Sequence, residues 1–135
     1  MKLLHQIVGV LVVLIFLLTG QYMDFHDPHM SELSDGVRMM FRSRHIYILL
    51  AGLINVGLGT YFSYRRSLWR RVLQFTGSLL VMLAPLMLIG AFFYEPRLDK
   101  LQGPLTLPAI ISLFAGVLLH MISGTRLKPV ARPGE

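Results

Sequence analysis

Residues 72–94 read VLQFTGSLLVMLAPLMLIGAFFY, a run without a single Asp, Glu, Lys or Arg. A helix needs about 20 apolar residues to cross the ~30 Å hydrocarbon core of a bilayer, and this run is long enough. Lipid offers the backbone no hydrogen-bond partner, so such a segment must satisfy its own N–H and C=O groups by coiling. Three further stretches have the same character: Leu3 to Tyr22, Ile46 to Tyr64 and Leu105 to Ser123, again without Asp, Glu, Lys or Arg. Aromatic residues gather at their ends, with Tyr22 and Phe25, Tyr61 with Phe62 and Tyr64, Trp69, and Phe92 with Phe93 and Tyr94, where rings anchor at the lipid–water boundary. The sequence therefore predicts an all-α integral membrane protein. Its expected form is one domain over 1–135, a four-helix bundle of up-down-up-down topology with spans at 3–22, 46–64, 72–94 and 105–123.

Composition points the same way. Of 135 residues, 54% are hydrophobic and 15% charged, well under the ~25% charged share of soluble domains, and mean hydropathy is +0.61. A soluble globular enzyme is not expected. The chain has no Cys, so disulfides, thiolate zinc sites, iron–sulfur clusters and thiol nucleophiles are excluded. The first span raises one question, because Ile7 to Leu18 behind Lys2 has the length of a secretory signal. Leu18-Thr19-Gly20 followed by Gln21 is a poor small-x-small cleavage site, so an uncleaved anchor is expected.

Charge sets the expected orientation. One side of a four-span chain collects Lys2, Arg65, Arg66, Arg70, Arg71, Arg126, Lys128 and Arg132 against Glu135, a net +7. The other collects Arg38, Arg42, Arg44, Arg97 and Lys100 against Asp24, Asp27, Glu32, Asp35, Glu95 and Asp99, a net −1. Cations stay on the cytoplasmic side, so both termini are expected there, in a bacterial inner membrane. The Arg65 to Arg71 connection then serves topology and lipid headgroups. No nucleic-acid recognition module accompanies these cations, and no nucleic-acid partner is expected.

The outer connection, residues 23–45, is the longest piece between spans. Asp27-Pro28 has the form of a helix start, with Met30, Leu33, Val37, Met40 and Phe41 near helical spacing on one face and Glu32, Asp35, Arg38 and Arg42 opposite. A short interfacial amphipathic helix is expected here, bent at Gly36 and running into span two. It is either a cuff over the bundle or a partner surface formed by Met30, Leu33, Val37, Arg38, Met40, Phe41 and Arg42. The same connection holds Met23, His26, His29 and Met30, thioethers and imidazoles of the kind that suit copper. Pro28 interrupts them, and solvated His–Asp loops of this composition are common.

Within the membrane, helices approach through small residues and bond through buried polar ones. Ala51, Asn55 and Gly59 recur at four-residue spacing in span two and define its packing face, with Asn55 expected to bond across helices. Pro85 in span three, near Gly77 and Ser78, should kink that helix. In span four Ser112, Gly116 and His120 share a face, as do His5 and Gly9 in span one. Antiparallel spans one and four would bring His5 and His120 to one depth near the cytoplasmic boundary. There they either sit among headgroups or ligate a b-type haem axially, with glycines leaving room for the macrocycle. His45, after Arg42 and Arg44, is expected to anchor at the interface with Tyr47, its protonation opposed by those cations.

No ionisable carboxylate or ammonium lies inside a span, which argues against coupled transport. GxSxG, HExxH and phosphate-binding glycine loops are absent from the sequence, so an enzyme is not expected. Arg42-Ser43-Arg44-His45 resembles the Arg- and His-containing segment of the microsomal glutathione transferases. The Asn and Glu residues that follow it in that family are represented over Ile46 to Val56 only by Asn55, and the chain is not assigned to it. The expectation is a noncatalytic subunit or assembly factor of a membrane complex, in contact with the bilayer and with a protein partner or further copies of itself. No cofactor is expected. The alternatives are a haem- or copper-handling protein, and an oligomeric passive pore or lipid-interacting protein.

Overall fold

A computed structural model describes residues 1–25, 31–63, 67–98 and 103–125. They form four helices, α1 (Lys2–Phe25), α2 (Asp35–Tyr61), α3 (Leu68–Tyr94) and α4 (Thr106–Gly124), with a 3-10 turn at Glu95–Arg97 after α3. No strand occurs among the described residues. Three helical segments, Lys2–Phe25, Leu68–Arg97 and Thr106–Gly124, are long and apolar enough to cross a membrane, which places the chain with the helical membrane proteins. α2 does not meet that measure. Its leading turns carry Arg38, Arg42 and Arg44, and it stops at Tyr61, where Phe62 turns extended (φ −63°, ψ 123°).

α2 also departs from the sequence expectation at its start. No separate interfacial helix exists among the described residues from Ser31 onward, because the helix begins at Asp35 and runs unbroken to Tyr61. Gly36, expected as a bend, lies in its first turn, where an extra residue of backbone freedom costs little. Asp35 places a carboxylate at the positive end of the helix dipole, and no Pro interrupts the run into Ile46. Asp27 and Pro28, the expected helix start, lie outside the described residues. α3 continues through the buried Pro85 without a break in helical structure.

Neighbouring helices meet in opposite chain directions. Along α1 and α2, Gln6 lies against Gly59, Gly9 against Val56, Gly52 against Val13, and Gly20 against His45. Along α3 and α4, Gly77 lies against Gly116 and Leu119, and Gly116 also against Val81. The approach is close enough to require glycine: a Cβ on Gly59 would fall 2.5 Å from Gln6 Cγ, and one on Gly116 2.5 Å from Val81 Cγ2. Gly57, on the same helix as Gly59, faces open space. Val12, Ile48, Ala51, Val81, Leu88, Phe92 and Leu113 build the interior, while large apolar side chains such as Leu18, Leu86 and Phe114 point outward, each more than 60% exposed. Outward display of this extent is the pattern of a lipid-facing surface.

Candidate functional site

Each of the four helices contributes one polar side chain to a single buried node. His5 of α1, Asn55 of α2 and Ser78 of α3 are completely buried, and His120 of α4 is half-buried. His5 Nδ1 lies 2.9 Å from Asn55 Oδ1, and His5 Nε2 lies 2.9 Å from Ser78 Oγ. Ser78 Oγ is in turn 3.1 Å from His120 Nε2. Phe62 covers the assembly, its ring centroid 5.9 Å from that of His5 and 5.7 Å from that of His120.

The amide of Asn55 fixes the direction of every bond in this chain. Its nitrogen donates to Ala51 O at 2.9 Å and to Val81 O at 3.1 Å, and only the NH₂ end of the amide can face two carbonyls. Oδ1 therefore faces His5, which must carry its proton on Nδ1 to donate to it. Nε2 of His5 is then an acceptor and takes the Ser78 hydroxyl proton. Ser78 Oγ, having given its one proton, accepts from His120, whose proton lies on Nε2. The consequence is a one-way series of donors, His120 to Ser78 to His5 to Asn55. His120 Nδ1 is left as an acceptor that no described residue bonds.

A second polar cluster joins α2, the 3-10 turn and α4 at the opposite end. Glu95, fully buried, accepts from Arg44 Nε at 2.8 Å, from the N–H groups of Leu105 and Thr106 at 2.8 Å each, and from the Thr106 hydroxyl at 2.5 Å. Its carboxylate thus caps the N-terminus of α4 from a distant point in the chain and neutralises Arg44, which is itself 8% exposed. Arg44 further donates to Ser43 Oγ. Nearby, His45 stacks on Phe16 with ring centroids 4.0 Å apart and bonds Thr19 Oγ1 at 2.9 Å through Nδ1. Thr19 gives its own proton to Phe16 O, so His45 is the donor in that pair. Burial holds the pKa of His45 below its usual value; the expected cause was the adjacent arginines.

The residues singled out in the sequence fall as follows. His5 and His120 come together, with centroids 5.9 Å apart, but they do not fit a haem. Both nitrogens of His5 are engaged, and the two Nε2 atoms converge on one serine hydroxyl. The room expected beside the glycines is filled, because a Cβ on Gly9 would lie 2.6 Å from Val56 Cγ2 and one on Gly116 2.5 Å from Val81 Cγ2. Ala51, Asn55, Gly59, Pro85 and Gly116 are buried and Ser112 is half-buried. Of the proposed copper ligands, Met23 lines a cavity of about 300 Å³ with Gly20, Asp24, Ser31, Arg38, Phe41 and Arg42, whereas His26, His29 and Met30 lie outside the described residues. Among the described residues no three His, Cys, Asp or Glu groups gather where they could hold a metal. The expected outer stripe divides: Met40 is buried and Phe41 packs edge-on against Phe92 at 5.3 Å, Arg38 pairs with Asp35, Val37 is half-buried, and Leu33 and Arg42 are exposed.

Sequence reasoning missed Ser78 as the link between the histidines, and it assigned Arg44 and Glu95 to the outer loops as separate topology charges. One signal was available: each is the charged residue nearest a span end on the same expected side. Pairing them leaves the charge split intact, since one cation and one acid cancel. No family model matches this chain, and no curated protein or solved structure is detectably similar to it.

Proposed function

We propose that the chain is an inner-membrane protein that crosses the bilayer four times, with both termini in the cytoplasm, and acts without catalysis as a subunit or assembly factor of a membrane complex. α2 is included as a crossing because it lies against α1 from Gln6–Gly59 to Gly20–His45. That register spans about 21 Å of helix at 1.5 Å per residue. The observation that carries the noncatalytic reading is that the interior polar groups are consumed by one another. His5, Asn55, Ser78 and His120 close one node, and Arg44, Glu95 and Thr106 close another. None of the seven is among the described residues that line three cavities on the molecule, and polar groups bonded to one another across helices serve assembly. The outward apolar faces, with exposed Leu33 and Arg42 at the outer end, are the surfaces offered to lipid and to a partner.

Two measurements test this. Reporter fusions after Tyr22, Tyr64, Glu95 and Glu135 should place positions 64 and 135 inside and positions 22 and 95 outside; Glu135 found outside overturns the topology. Mild-detergent purification followed by native electrophoresis should give a stoichiometric second chain or a defined homo-oligomer. A monomer that supports no complex in its native membrane overturns the subunit reading.

A further inference from the structure

The His5–Ser78–His120 series has two complete hydrogen-bonding states that differ by one proton, and from this we infer that it is a proton-binding and proton-transfer site shared by the four helices. The inference depends on the helix packing and not on the partner reading above. In the first state, worked out from the Asn55 amide, His120 donates to Ser78 and Ser78 donates to His5. His120 Nδ1, on the half-buried ring, is the open acceptor.

A proton from water enters there. As the His120 Nδ1–H bond forms, the His120 Nε2–H bond breaks toward Ser78 Oγ, and the Ser78 O–H bond breaks toward His5 Nε2. The hops run along contacts of 3.1 and 2.9 Å. His120 ends neutral with its proton on Nδ1, Ser78 ends as a hydroxyl that now donates to His120 Nε2, and His5 ends as an imidazolium donating from both nitrogens, to Asn55 Oδ1 and to Ser78 Oγ. One proton has been added and one positive charge has moved from the half-buried ring to the buried one. Every bond between members of the series is kept in both states, as a low-dielectric site requires, and the group that changes from acceptor to donor toward water is His120 Nδ1 on the half-buried ring.

From α2 His5 faces Asn55, from α3 Ser78 and from α4 His120, while the amino terminus of Met1, just before α1, is the cation whose field reaches it. His120 faces His5 as its titratable neighbour. No described carboxylate bonds either ring, so an added charge stays on the imidazoles and is not quenched locally. Asn55 is the positioning residue: by presenting Oδ1, held by two backbone carbonyls, it determines which histidine holds the proton.

The test is solid-state NMR of the full chain in lipid bilayers with ¹⁵N-labelled histidine rings, assigned with His5→Gln and His120→Gln. Near neutral pH, His5 should carry its proton on Nδ1 and His120 on Nε2. On acidification His5 should become doubly protonated while His120 converts to the Nδ1–H form. Ser78→Ala should abolish that paired change, and Ser78→Thr, which keeps the hydroxyl, should restore it. The inference is overturned by an Nε2–H tautomer on wild-type His5, by the charge residing on His120 with His5 unchanged, or by Ser78→Ala responding as wild type does. The tautomers of the unmodified chain decide the matter even where Ser78→Ala does not fold.

Discussion

The two ends of the molecule solve the same problem in different ways. At the Arg44 end, full charges are buried and cancel: one guanidinium and one carboxylate meet at 2.8 Å with three further donors on the acid. At the His5 end, the groups are neutral and the hydrogen bonds alone close the node. A buried ion pair has one arrangement, and losing either member strands the other charge. A chain of imidazoles and a hydroxyl can gain a proton and keep every bond between its members. The first end is therefore a fixed clasp and the second an adjustable one, and the largest mutational effects should fall on the first.

Glu95→Ala should do the most damage. It leaves Arg44 buried without a counter-charge and the first turn of α4 without its cap, and breaking a buried pair by removing one partner costs about 3–5 kcal/mol. Unfolding in mixed detergent is the readout. The double change Arg44→Met with Glu95→Leu should recover most of the loss; if it is as unstable as Glu95→Ala alone, the damage does not come from a stranded charge.

Next come the close contacts between α1 and α2. Gly59→Leu should cost roughly 1–3 kcal/mol by forcing α1 and α2 apart, because its Cβ would fall 2.5 Å from Gln6 Cγ. Gly57→Leu, on the same helix but facing open space, is the control and should be close to neutral. Equal effects at the two positions would remove the α1–α2 contact. This pair also marks the limit of what the sequence shows. The four-residue spacing of Ala51, Asn55 and Gly59 is a local pattern that the sequence displays directly, and all three are buried. It could not say that Gln6 is the residue beneath Gly59, nor that Ser78 stands between His5 and His120, because those depend on the rotation of each helix about its axis. The same gap hid the Arg44–Glu95 pair: 51 positions apart in sequence, each looked like a solitary loop charge. The sequence expects helix on both sides of Ile46, bent at Gly36; the helix begins at Asp35, so Gly36 falls in its first turn and bends nothing.

Asn55→Leu should be milder than either, about 0.5–2 kcal/mol, the range for hydrogen bonds between helices in lipid. Its more telling effect is on the adjustable end. Without the amide oxygen nothing dictates an Nδ1 proton on His5, so the ring should sample both tautomers by ¹⁵N NMR while Glu95→Gln leaves that signature unchanged. A single, unaltered His5 tautomer in Asn55→Leu would mean that the direction of the node is set elsewhere.

The smallest effect expected is a pH dependence confined to the clasp end. His45 stacks on Phe16 and gives its Nδ1 proton to Thr19, and burial lowers its pKa from the usual 6.5. A lowered folded-state value means that the unfolded chain binds the proton first, so stability rises with pH across that interval. The contribution of His45 is then fully present above pH 6.5, declines as pH falls below it, and stops changing once the folded-state value is passed. Because His5 and His120 also titrate, the quantity to follow is the difference in detergent-unfolding midpoint between wild type and His45→Phe, which keeps the stack on Phe16 but has no proton to gain. That difference should favour wild type most at pH 8 and shrink toward pH 5. A difference that grows on acidification would place the imidazolium in the packed form against Phe16, and a flat one would mean that packing does not shift the proton affinity of the ring.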